Sequence, residues 1–125
     1  MSSLAMIGVT IIPKLAQAKP PLINQIQAQN NSNVMNLVKY LNKIGVKMYG
    51  AYWCPHCKHQ KELFGAAASQ LNYIECDPTG DNAQPQLCQK AQIKGYPTWE
   101  INGKLYPGQR TLQQLAELSG YKGPL

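Results

Sequence analysis

Cys54 and Cys57, in the segment Trp53-Cys54-Pro55-His56-Cys57, are the side chains of this sequence best suited to chemistry. Thiol–disulfide exchange needs a thiolate that can attack, a second thiol close enough to close a ring, and access for a partner sulfur. A Cys-x-x-Cys pair at the start of a helix supplies all three. The unpaired amides and partial positive charge of a helix N-terminus stabilise a thiolate on the first cysteine. Cys54 is therefore expected to be the exposed attacking sulfur and Cys57, one turn inward, the resolving one. Pro55 fits the first helical turn, where its missing amide proton costs little. His56 could place positive charge or a donor near Cys54, favour the reduced pair and make its disulfide a stronger oxidant. For this two-electron couple about 30 mV corresponds to roughly 1.4 kcal/mol, so one such bond matters. An idle exposed position is the alternative for His56, and His59 reads as a solvated helix position.

Two further cysteines, Cys76 and Cys88, open another reading, in which a Cys-x-x-Cys pair is half of a zinc site completed by them or by a histidine. They are not a close pair themselves, and a strand-to-helix setting suits redox work better, so no metal or other bound cofactor is expected. A second landmark is Tyr96-Pro97-Thr98-Trp99. A proline just before a strand cannot donate to a sheet and often marks a cis bond in a tight turn, although by pattern alone trans is the commoner form.

The elements that must position these residues follow from periodicity. Val34, Leu37, Val38, Leu41 and Ile44 recur at helical spacing, with Ser32 or Asn33 as a cap and Gly45 where a helix ends. Val46 to Tyr52 is β-prone and runs straight into the cysteine pair. A helix is predicted over Lys58 to Ser69, with Leu63 and Phe64 on its buried side. A short strand at Asn72 to Cys76, a loop, and a brief helix around Gln86 to Ala91 come next. Thr98 to Ile101, the Asn102-Gly103 turn and Lys104 to Tyr106 form a hairpin signature. The last helix opens at Thr111, with Gln114 completing a capping box, and ends at Gly120. Strands alternating with helices and closing on a hairpin predict an α/β fold, a central mixed β-sheet flanked by α-helices.

Totals bound the rest. The 125 residues suit one domain of ordinary size with a short tail. The net charge of +6 comes from lysines scattered singly, without a basic run or aromatic platform, so no nucleic-acid partner is expected. Nothing in the pattern calls for a second copy, and a monomer is expected. Four cysteines favour an oxidising compartment. Leu4 to Ile12 is an apolar run too short to span a bilayer as a helix. Ala16-Gln17-Ala18 after it could be cut by a signal peptidase, but no Lys or Arg precedes the run. Residues 1–18 thus read as an export signal, as the remnant of a membrane helix, or as a disordered leader. Residues 19–33, rich in Pro, Gln and Asn, read as a flexible linker, and residues 34–125 as the folded domain.

Together, Trp-Cys-x-x-Cys after a strand and a Pro-Thr element some forty residues later, leading into a hairpin, resemble the thioredoxin superfamily over about Val34 to Tyr121. The resemblance implies a thioredoxin-like fold in which Pro97 is the cis proline facing the cysteine pair. Trp53, Tyr96 and Pro97 would then meet an extended substrate, the backbone of Tyr96 pairing with it. The chain departs from ordinary thioredoxin in having Pro-His between the cysteines, and Met48 where thioredoxin keeps a buried acid. The segments from Tyr49 to Cys57, Tyr73 to Cys76 and Tyr96 to Gly103 are most similar to the thioredoxin-like domain attached to bacterial and plant homologues of vitamin K epoxide reductase. That likeness implies a protein thiol:disulfide oxidoreductase that introduces disulfides into cysteine-containing exported proteins. It would be reoxidised by a membrane quinone-linked vitamin K epoxide reductase homologue, in the periplasm or thylakoid lumen, with Cys76 and Cys88 joined as a structural disulfide or a second redox relay. Val46-Lys47-Met48-Tyr49 before Cys-Pro-x-Cys-Lys is also similar to glutaredoxins, which keeps a disulfide reductase as the alternative. A zinc-stabilised binding module is the alternative of another class.

Overall fold

A computed structural model describes Gly8 and residues 20–125 of the chain. The apolar run Leu4 to Ile12, apart from Gly8, and the Ala16-Gln17-Ala18 step lie outside the described residues. Helix α1, Leu22–Lys43, follows Pro20-Pro21 and has neither Gly nor Pro within it. Its second half buries Leu37, Val38 and Leu41, the face that the apolar spacing marks out. Its first half stands in solvent, with Leu22, Ile23 and Ile26 exposed. The helix therefore begins well before Ser32 and takes in most of the stretch read as a linker. Composition does not decide conformation there: a helix already nucleated by its packed half propagates through exposed Gln, Ala and Asn at little cost. Gly45, at φ +78°, closes α1. Its amide bonds to Asn42 and that of Val46 to Leu41, the paired bonds of a Schellman ending.

Strand β1, Lys47–Gly50, leads to helix α2, Pro55–Glu62, and a short 3-10 helix, Gly65–Gln70. The helix expected through Ser69 is thus split, because Gly65 takes φ +55°. Of the two side chains expected inside, Phe64 is buried and Leu63 is exposed. Strand β2, Tyr73–Glu75, helix α3, Pro85–Ala91, the hairpin β3, Thr98–Ile101, with β4, Lys104–Pro107, and helix α4, Leu112–Ser119, complete the order. Asn102 and Gly103 both have positive φ, as the tight turn between β3 and β4 requires. Thr111 caps α4, its hydroxyl accepting from Gln114 N–H while the Gln114 side chain accepts from Thr111 N–H.

The sheet order is β2-β1-β3-β4, with β1 parallel to β2 and antiparallel to β3, and β3 antiparallel to β4. The expected mixed sheet flanked by helices is what the chain forms. Met48, Trp99 and Ile101 belong to the main core with Leu37, Val38, Leu41, Phe64 and Leu115. Tyr49 and Ile74 belong to a second cluster with Cys76 and Cys88 beneath α3. Alternate residues of β1 thus enter different cores, so this central strand is buried on both faces.

Candidate active site

The register of β1 aims the chain at the cysteine pair. The strand ends at Gly50, the chain turns through Ala51 to Trp53, and Cys54 becomes the N-cap of α2 with Pro55 at its first position. The Cys54 Sγ accepts the Cys57 N–H at 3.2 Å, so a helix amide that would otherwise lack a partner bonds to the sulfur. On its other side Cys54 Sγ lies 3.7 Å from the Tyr96 carbonyl oxygen, to which the thiol can donate. The Tyr96-Pro97 bond is cis, Pro97 is fully buried, and Gly108 N–H donates to its carbonyl at 2.8 Å. Trp53, 56% exposed, meets Tyr96 edge to face with centroids 6.0 Å apart. Cys54, Cys57, Trp53, Tyr96 and Pro97 are therefore brought to one place.

Two expectations about this place need correction. Cys54 is not open to solvent: it is 5% exposed and Cys57 2%, so the pair differs in bonding more than in exposure. Burial, followed by its interaction with the Cys54 sulfur, pushes the Cys57 thiol up to about 12, which keeps it protonated at neutral pH. His56 is exposed and makes no hydrogen bond among the described residues; the contacts of the Cys54 sulfur are with Cys57 N and Tyr96 O. His59 is also exposed.

Cys76 directly follows β2 and Cys88 lies in α3, and their sulfurs are bonded to each other. Both are buried. Among the described residues no group of three or more His, Cys, Asp or Glu side chains is placed to hold a metal, and Cys76 and Cys88 are bonded to each other.

Several polar residues around the pair escape sequence reasoning because each looks like an ordinary surface residue. Gln60, fully buried in α2, accepts from Trp99 Nε1 at 3.0 Å and Arg110 N at 2.7 Å and donates to Arg110 O at 2.9 Å. Asp77 accepts the Trp53 indole N–H at 2.7 Å and the Thr79 amide and hydroxyl at 2.8 and 2.7 Å. The Thr79 bonds, then that of Trp53, hold its carboxyl below the usual carboxylate range. Tyr73 donates to Glu75 at 3.1 Å, on the sheet face that carries Cys57. A signal was present for Glu75 alone: it stands two residues from Tyr73, hence on the same face of a strand whose pattern is otherwise apolar.

Comparison with known proteins places this geometry. The thioredoxin family profile matches residues 25–118. The chain is 44% identical over 106 residues to the Arabidopsis thaliana protein named thiol-disulfide oxidoreductase LTO1, covering 82% of this chain and 28% of that protein. It is 34% identical over 76 residues to protein disulfide isomerase-like 2-1 of Oryza sativa subsp. japonica, covering 54% of this chain and 21% of that protein. Over 109 residues it is 28% identical to the putative protein disulfide-isomerase C1F5.02 of Schizosaccharomyces pombe, covering 80% and 18%. The chain thus spans less than a third of the length of each of these relatives. It belongs to the thioredoxin family.

Proposed function

We propose that the chain introduces disulfides into exported proteins, with Cys54 exchanging with the substrate and Cys57 resolving. The observation that carries this reading is the Cys57 amide on the Cys54 sulfur. A helix-terminal N–H on that sulfur marks Cys54 as the sulfur that exchanges with the substrate, in a disulfide form that acts as an oxidant. A substrate thiolate attacks Cys54 Sγ of the oxidised pair and Cys57 leaves. A second substrate thiol then attacks the mixed disulfide, and the substrate departs oxidised while the pair keeps both electrons. Trp53 and the backbone of Tyr96, whose orientation the buried Pro97 fixes, form the surface on which an extended substrate would lie. Reoxidation falls to a membrane vitamin K epoxide reductase homologue, in keeping with an extracytoplasmic site of action in periplasm or thylakoid lumen. The buried Cys76–Cys88 bond supports an oxidising compartment. No helix among the described residues is long and apolar enough to cross a membrane.

The exposed, unbonded His56 favours a second reading, a thioredoxin-like or glutaredoxin-like reductase, since it removes one expected stabiliser of the Cys54 thiolate. A redox titration separates the two. A potential well above thioredoxin's, towards the roughly −120 mV of strong periplasmic oxidants, supports oxidation, whereas one near about −270 mV supports reduction.

A further inference from the structure

Met48 occupies the position where a buried acid would serve the cysteine pair, yet a buried carboxylate stands close by on the neighbouring strand. Glu75 is 5% exposed. Its Oε1 accepts the Tyr73 hydroxyl at 3.1 Å and its Oε2 the Asp77 amide at 3.0 Å. In the parallel β1–β2 register Tyr73 lies opposite Met48 and Glu75 opposite Gly50, all on one sheet face.

Two glycines make room for this pair. A Cβ on Gly50 would stand 3.0 Å from Cys57 Sγ, 2.9 Å from a Tyr73 ring carbon and 3.3 Å from the Tyr73 hydroxyl. Gly50 thus stands between the Cys57 sulfur and the Tyr73 phenol, and the bare Cα leaves the space between them open. A Cβ on Gly80 would fall 2.6 to 2.9 Å from Glu75 side-chain atoms, so the carboxyl packs directly on that backbone. Lys61 Nζ sits 3.4 Å from the centroid of the Tyr73 ring, a cation on its face. Lys61 also borders two open cavities. One, of about 500 Å³, reaches Cys57; the other, of about 490 Å³, reaches Tyr73 and Glu75.

We propose that Glu75, acting through the Tyr73 hydroxyl, takes the proton of the Cys57 thiol when Cys57 displaces a substrate from Cys54, and returns it to solvent through the cavity beside Lys61. This rests on the reading of Cys57 as the resolving thiol. Starting from the mixed disulfide, the Cys57 S–H proton passes to Tyr73 Oη as the Tyr73 proton passes to Glu75 Oε1. The Cys57 sulfur bonds to Cys54 Sγ, the bond from Cys54 to the substrate sulfur breaks, and the substrate leaves with that electron pair as a thiolate. Two electrons pass from the dithiol to the substrate. In the oxidising direction the same groups return the proton to the departing Cys57, so the assignment holds for either direction of flow.

Burial pushes the Cys57 thiol up, so at neutral pH it is held as the thiol and needs an acceptor for its proton before it can attack. Burial, reinforced by Glu75, raises the Tyr73 phenol as well, so it stays a neutral relay. The groups acting on Cys57 are Cys54 and Lys61 of α2, and Tyr73 of β2 in turn feels Glu75, Cys57 and Cys54. Lys58 and Glu62 of α2 line the first cavity, Asp81 the second, and Tyr52 both.

The test uses one equivalent of an aromatic nitrobenzoate disulfide, which frees one coloured thiolate when Cys54 attacks and a second when Cys57 resolves. Glu75→Gln and Tyr73→Phe are expected to leave the first phase unaltered and slow the second about a hundredfold at pH 7. In the variants the second phase should climb about tenfold per pH unit as hydroxide replaces the lost base, while the native chain's stays nearly level from about pH 6 to pH 8. A second phase unchanged in rate and pH slope in either folded variant overturns the proposal, as does equal slowing of both phases. If Glu75→Gln fails to fold, Tyr73→Phe decides alone. Loss of the first phase in Cys54→Ser, and of only the second in Cys57→Ser, checks the underlying reading separately.

Discussion

Gln60 offers the sharpest test of how the fold holds the site. It lies in α2 one turn beyond Cys57, is 0% exposed, and ties that helix to β3 through Trp99 and to the segment before α4 through Arg110. Truncation to alanine leaves the Trp99 indole N–H and the Arg110 N–H and C=O without partners. A fully buried orphan costs about 1–3 kcal/mol and a partly buried one less. The Trp99 bond is buried and both Arg110 bonds are partly so. Adding the void left by the side chain, Gln60→Ala should lose about 3–5 kcal/mol. Gln60→Leu keeps most of the volume, so its loss of about 2–3 kcal/mol isolates the hydrogen bonds. Urea unfolding of both variants, followed by far-ultraviolet circular dichroism, reads these differences. Trp99→Phe should cost less in the Gln60→Leu background than alone, since the indole has then already lost its acceptor. A Gln60→Leu loss below about 1 kcal/mol, or strict additivity with Trp99→Phe, would refute the reasoning.

Other outcomes follow from single contacts. Replacing Cys76 and Cys88 together by alanine opens a loop of sequence separation 12 and should lower stability by about 3 kcal/mol, seen as a shifted urea midpoint in non-reducing buffer. Asp77 is held below the usual carboxylate range by Thr79 and Trp53, so the contact it makes persists above pH ~4 and is lost as pH falls further. Trp53 fluorescence should report that transition, and Asp77→Asn should abolish it. Cys57 is raised from 9.0 to about 12 and Tyr49 from 10.0 to about 12, so each contributes stability that is complete below its unfolded value and fades as pH rises past it. The reduced chain should weaken from about pH 9 upward, and the Cys54–Cys57 oxidised chain, which keeps the contributions of Tyr49 and Tyr73 but not that of Cys57, from about pH 10. Equal pH profiles for the two redox forms would contradict the assignment.

What the sequence made legible is whatever local geometry dictates. Asn102-Gly103 demands positive φ at two successive residues, Thr111 and Gln114 satisfy each other's amides, and Gly45 ends a helix that no other residue there could end as cheaply. The Cys54–Cys57 pair reads the same way, because strand, turn and helix start are all written within a dozen residues. The exposed half of α1 was hidden because burial and helicity are separate questions, and composition answers only the first. Gln60 was hidden for the opposite reason: a polar residue in isolation signals solvent, and only the packing of α2 against Trp99 and Arg110 reveals that it is enclosed, whereas Glu75 left the weak signal of sharing a strand face with Tyr73.

The location of Glu75 has its own physical logic. β1 is the second strand of the sheet and is covered on both faces, so an acid at Met48 would be fully enclosed and opposite Trp99. A carboxylate there would have to bear the full cost of leaving water. β2 is an edge strand, and Glu75 at its end has a backbone amide on one oxygen, a phenol on the other and a cavity open to solvent beside it. Those partners offset desolvation while leaving a route for a proton. Moving the acid from the centre of the sheet to its edge separates it from the thiol by one aromatic ring. Tyr73 stands in that gap, and the bare Gly50 Cα leaves the space between phenol and sulfur open. Gly50, Tyr73 and Glu75 therefore work as a unit, and a substitution at Gly50 should disturb Cys57 as surely as the loss of the carboxylate itself.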